Sequence, residues 1–133
     1  MKLSTAGWFA ACLAAAPLAA AAAPPSSKVK VLMAQPLADI AGKEGVMLEV
    51  TLPPGGADAV HRHDAHVFVY MLSGSAVMQV KSGKAVTLNP GQTFYESPAD
   101  IHVVGKNASS KKPAKFLAVF VKNTNAPPVI PVN

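Results

Sequence analysis

From residue 28 to residue 122 the chain never holds a helical period for long. Short apolar or alternating runs are instead cut by turn residues at roughly eight- to twelve-residue intervals. Pro53-Pro54-Gly55-Gly56, Ser73-Gly74-Ser75, Ser82-Gly83 and Asn89-Pro90-Gly91 are such breaks. Proline cannot continue a helix or donate to a ladder, and glycine opens backbone conformations that other residues avoid, so these clusters end elements. The runs between them read as strands over residues 28–33, 46–52, 67–72, 76–81, 85–88, 93–96, 101–104 and 115–122, with loops over 36–45 and 105–113. With no crossover helix to join parallel strands, the expected class is all-β, a sandwich or barrel of antiparallel strands. Residues 67–72 are apolar or aromatic throughout and read as a strand buried on both faces. Phe94, Tyr95, Phe116 and Phe120 read as core. Leu117, Val119 and Val121 make the last strand apolar on its second face as well. That calls for cover by the N-terminal strand or by a second subunit, hence a homodimer.

The first residues are not fold material. Lys2 precedes a run of Ala, Leu, Phe and Trp that ends in consecutive alanines before Pro24-Pro25-Ser26-Ser27. This is the form of a cleaved signal peptide over 1–23, followed by a leader over 24–27, one domain over 28–122 and a proline-containing tail over 123–133. A retained membrane anchor is the competing reading, but the run is short and alanine-rich. Export implies a periplasmic or secreted protein with no membrane contact after cleavage. Cys12 is the only cysteine and lies in the expected signal peptide, so a disulfide framework and thiolate ligands are both ruled out of the expected mature chain. The net charge of +5 comes from scattered lysines, clustered only at Lys111-Lys112 and Lys115. Nucleic-acid binding would need a basic stripe interleaved with aromatics, and neither is present.

Chemistry is concentrated in four histidines: His61, His63, His66 and His102. His61 and His63 flank Arg62. In an extended chain their side chains share one face, because side chains alternate with period two. Two imidazoles aimed the same way, joined by a third from elsewhere, suit a borderline transition metal. Arg62 points the other way and reads as surface, with an anion contact at the rim as the alternative.

The spacing resembles the cupin superfamily, in particular its small single-domain members. The first motif of that family is matched by Gly55, His61, His63 and Gly74, with Tyr70-Met71-Leu72-Ser73-Gly74 at its end. The second is matched by Asn89-Pro90-Gly91 and His102. The resemblance covers about residues 46–121. It implies a jelly-roll β-barrel and a metal held by His61, His63 and His102. The sequence departs from the family at the metal-binding Glu, whose place is taken by Val67. It departs again at Ser97 and Ala99, with Pro98 displaced, and at Lys106, with Asn107 one position late. His66, beside the vacant position, is the first candidate for a fourth ligand, through a one-residue bulge. Glu96 and Glu49 are alternatives, and Gln79 is a weaker one.

Three neutral imidazoles without a carboxylate favour Fe, Ni, Cu, Zn or Mn over Mg or Ca, and leave positive charge to attract an anionic or oxygenated small molecule. Two functions follow. One is oxygenase-, isomerase- or lyase-type catalysis on a small oxygenated compound, with Glu96 or His66 as acid–base candidates. The other is a non-catalytic periplasmic module that captures a metal or small ligand. Asn107-Ala108-Ser109 has the form of a glycosylation acceptor and is discounted in a chain read as bacterial.

Overall fold

The structure is a computed structural model that describes residues 22–132. The expected signal peptide lies almost wholly outside the described residues. Ten strands follow in order: β1 (Lys28–Pro36), β2 (Lys43–Leu52), β3 (His61–Arg62), β4 (Ala65–Ser73), β5 (Ala76–Val80), β6 (Val86–Leu88), β7 (Thr93–Glu96), β8 (Ile101–Asn107), β9 (Ala114–Asn123) and β10 (Ile130–Pro131). They form two five-stranded antiparallel sheets, ordered β1-β2-β9-β4-β7 and β10-β3-β8-β5-β6. The expected all-β jelly roll is present, as two facing sheets and not as one closed barrel.

Alternation builds the core. Val46, Leu48, Val50 and Leu52 of β2 turn inward with Val67, Val69 and Met71 of β4 and with Phe116, Ala118 and Phe120 of β9. Ala76, Met78 and Leu88 face them from the second sheet. Burying each large side chain contributes about 1.5–3 kcal/mol.

The same alternation corrects the reading of β4. Phe68 and Tyr70 are 50% and 47% exposed, and Tyr95 is 47% exposed. No layer lies over the outer face of that sheet among the described residues. The N-terminal strand does not cover it, because β1 pairs edge-on with β2 in the plane of the sheet. The expected loops are also shorter than the sequence suggested. β1 and β2 extend into residues 36 and 43, and β8 runs on to Asn107.

Two residues pin the connections. Asn107 is buried, donates from Nδ2 to the carbonyls of Leu52, Pro53 and Lys112, and accepts from the Ser109 N–H at 2.9 Å. Its amide is thus committed to holding loops together. Gly74 turns the chain between β4 and β5 at φ 67°, and a Cβ there would sit 2.5 Å from the Pro113 carbonyl oxygen. Gly74→Ala is therefore expected to cost about 2–3 kcal/mol, from left-handed backbone strain and displacement of the Pro113 segment. A thermal or urea unfolding curve superimposable on the parent's would contradict this.

Candidate metal centre

Register brings distant histidines together. β3 pairs with β8 so that His61 lies directly opposite His102. His63 follows one residue after β3, on the same side as His61. The pairing of β5 with β8 slips between Gln79 and Val80, leaving Val103 unopposed while Val80 faces His102. Such a bulge re-aims side chains. The rings of His61 and His63 lie 4.8 Å apart, and those of His61 and His102 4.9 Å apart. One ring nitrogen from each lies within 4.8 Å of the others, a grouping that could hold a metal ion.

Each imidazole is held by a backbone carbonyl. His61 Nδ1 donates to Ala59 O at 2.7 Å, His63 Nδ1 to Pro128 O at 2.5 Å, and His102 Nε2 to Val104 O at 2.6 Å. A carbonyl can only accept, so the bonded nitrogen carries the proton. The lone pairs are then on Nε2 of His61, Nε2 of His63 and Nδ1 of His102. This is how metal-binding histidines are usually oriented and their tautomers fixed. Gly105 makes room for the third ring, since a Cβ there would lie 3.2 Å from His102 Nε2.

A carboxylate joins them. Glu96 of β7 is only 2% exposed, with Oε2 3.2 Å from His102 Nδ1 and 3.6 Å from His63 Nε2. Glu96 sits directly across the β4–β7 ladder from Val67. A carboxylate thus lies beside the histidines on the strand that neighbours position 67. Glu96 Oε2 and His102 Nδ1 are both buried and, among the described residues, lack a hydrogen-bond partner of good geometry. Unpaired buried polar atoms are rare and call for a missing partner, which a metal would provide. The donor set therefore fits a metal ion.

The electrostatics divide the histidines. Burial pushes the His63 pKa below the usual imidazole value, against the Pro128 carbonyl and Glu96, which pull it up. For His102 burial also acts downward, but Glu96, the Val104 carbonyl and Asp58 outweigh it and the pKa is raised.

The other candidates are placed elsewhere. His66 faces outward on β4, where Tyr95 Oη lies 2.7 Å from its Nδ1. The bulge that would have turned it inward is absent. β4 keeps regular register with β9 from Ala65 to Met71 and slips only after that. Glu49 pairs with Lys115 Nζ at 3.1 Å. Gln79 Nε2 donates to Gly83 O at 3.0 Å. Arg62 pairs with Asp64 on the surface. The proline-containing tail, described over residues 123–132, takes part in the site. This segment supplies Pro128 O to His63, β10 to the edge of β3, and Val129 and Pro131 to the cavity wall. Lys122 anchors its start, with a buried ammonium bonded to Glu44 Oε1 at 2.5 Å and to Ala126 O at 2.7 Å. Proline punctuation hid this role, since nothing in the pattern shows which carbonyl a histidine will meet.

Among curated proteins, none matches the sequence. Solved structures match the fold. An uncharacterised conserved protein with a double-stranded β-helix domain from Klebsiella pneumoniae is 20% identical with a TM-score of 0.62, covering 81% of this chain and 86% of that one. The polyketide cyclase RemF from Streptomyces resistomycificus is 23% identical with a TM-score of 0.58, covering 83% and 75%. The DMSP lyase DddQ from Ruegeria pomeroyi is 20% identical with a TM-score of 0.58, covering 65% of this chain and 42% of that one. The cupin domain model matches residues 48–120, a span that runs from β2 to β9 and takes in all three clustered histidines and Glu96. The chain belongs to the cupin domain family.

Proposed function

We propose that this protein is an exported cupin that binds a divalent transition metal through His61 Nε2, His63 Nε2 and His102 Nδ1, with Glu96 as the fourth donor. The observation that carries this reading is the set of three carbonyl-anchored imidazoles turned toward one another beside a buried carboxylate oxygen without a partner. Three nitrogens and one oxygen suit Fe, Mn, Ni, Cu or Zn. Glu96 also changes the charge balance: the centre would carry about one net positive charge, where three histidines alone would leave two. The bound metal would supply Lewis-acid or redox chemistry to a coordinated oxygen. This supports oxygenase- or isomerase-type reactions on a small oxygenated molecule. A polyketide cyclase and a DMSP lyase among the structural neighbours are consistent with small-molecule chemistry on this fold. The apolar N-terminal run supports export.

A non-catalytic capture module is the second reading, and one observation favours it. If Glu96 is spent as a ligand, the remaining acid on the cavity wall is Asp58, whose Oδ1 already accepts the Ser27 N–H at 3.1 Å. Elemental analysis of the isolated protein tests the centre that both readings share. The parent and His66→Ala are expected to carry equal metal. His61→Ala, His63→Ala and His102→Ala should each lose at least about tenfold in affinity, because removing a ligand costs no less than removing a ligand's hydrogen-bond partner. Equal metal in the parent and His102→Ala would overturn the assignment. Turnover by the loaded protein separates catalysis from capture.

A further inference from the structure

The metal centre occupies one end of a cavity of about 260 Å3, and the chemistry of that cavity is lopsided. His61, His63, His102 and Glu96 gather at one end. The walls include Leu48, Val50, Val69, Met78, Phe116 and Phe120, none of which offers a strong hydrogen-bond partner. Val67, standing where the family places its carboxylate, is itself part of this apolar lining. Phe120 continues directly from the polar end, with its ring edge-on to His63 at 5.2 Å. Among the described residues the lining includes no Lys or Arg, and its two acidic side chains are Glu96 and Asp58. Val29, Val60 and Val129 also line it and are 57%, 41% and 48% exposed, so the solvent side carries apolar surface beside Ser27 and Asp58.

Size, charge and hydrogen bonding each restrict what can enter. The volume corresponds to about nine water molecules and falls below the range of drug-sized pockets. A polyanion would meet two carboxylates and no compensating cation beyond the metal. Away from Ser27 and Asp58, a hydroxyl of a sugar placed along the walls would lose its water without gaining a side-chain partner. An apolar body, by contrast, gains by leaving water.

We infer that the cavity takes a compact molecule of about ten heavy atoms, with one oxygenated head at the His61–His63–His102–Glu96 end and an apolar body along Val50, Val69, Phe116 and Phe120. This rests on the metal-centre reading above. It narrows the class expected from sequence: phosphorylated compounds, dicarboxylates and sugars fall outside it, and a single oxygenated group on a short or monocyclic hydrocarbon falls within it.

The test uses the full chain loaded with Co(II), whose visible absorption reports ligands arriving at the metal. Acetohydroxamate and benzohydroxamate present the same head on a methyl group and on a phenyl ring. Benzohydroxamate is expected to bind at least about tenfold more tightly, as burying a ring on an apolar wall requires. Glucose 6-phosphate is expected to leave the spectrum unchanged. Ala118→Phe, which fills the cavity, should bring benzohydroxamate down to the affinity of acetohydroxamate while the Co(II) spectrum persists. Val69→Thr, which changes the wall's polarity at nearly constant volume, should remove a large part of the same preference and guards against misfolding of the bulkier variant. Equal binding of the two hydroxamates by the parent, or a spectral response to glucose 6-phosphate, would overturn the ligand class and leave the metal centre standing. Absence of any Co(II) absorption would overturn the metal centre and this inference with it.

Discussion

Glu96→Gln is expected to weaken binding of a divalent metal by about 10- to 100-fold while leaving the metal-free protein no less stable than the parent. Gln keeps the volume of Glu and the backbone pairing of β7 with β4. What it removes is the charge on an oxygen that lies 3.2 Å from His102 Nδ1 and, among the described residues, has no hydrogen-bond partner. A buried polar atom in that state costs about 1–3 kcal/mol, so its retention needs a gain from elsewhere. A metal at the histidines would supply that gain, because an anionic donor whose side chain is buried offsets part of the ion's charge. Competition against a chromophoric chelator measures the affinity, and thermal unfolding of the chelator-treated protein measures the rest. A variant that loses several degrees of melting temperature yet binds metal like the parent would make Glu96 a structural partner of His102 and remove it from the donor set.

The role of Glu96 marks where the sequence is legible and where it is not. His61 and His63 announce themselves through period-two spacing, and His102 through the resemblance to the second cupin motif that Asn89-Pro90-Gly91 opens. All three meet in the structure. Turn chemistry was equally readable, since Pro53-Pro54-Gly55-Gly56 and Gly74 stop strands for local reasons. The proposed fourth donor is harder to read. Its identity depends on the β4–β7 register, which sets Glu96 opposite Val67. Register is fixed by the packing of two whole faces and leaves no mark on either strand alone. His66 looked closer because it is adjacent in sequence to the vacant position, yet adjacency along a strand means opposite faces. The apolar run over 67–72 misled for a related reason. Its outward members, Phe68 and Tyr70, are as hydrophobic as the buried ones, so composition could not separate the two faces.

Ending the chain after Ala126 is expected to lower metal affinity by about 10- to 100-fold while the two sheets still assemble. Pro128 O holds the Nδ1 proton of His63, and Ile130 and Pro131 pair with Arg62 and His61. Without them His63 loses the partner that orients its ring and fixes Nε2 as the free nitrogen, and β3 loses one of its two neighbours. Among the described residues the hydrophobic core contains none beyond Phe120, and Lys122 keeps its bonds to Glu44 and to Ala126 O. The shortened protein should therefore fold, with a lower melting temperature but a cooperative transition. Pro128→Ala is the informative companion. The acceptor is a main-chain carbonyl, so this substitution keeps it and should leave metal affinity within about twofold of the parent. If the truncated chain bound metal as tightly as the parent, the carbonyl would not be what prepares His63. If Pro128→Ala were as damaging as truncation, the ring of Pro128 and not its carbonyl would be what the site requires.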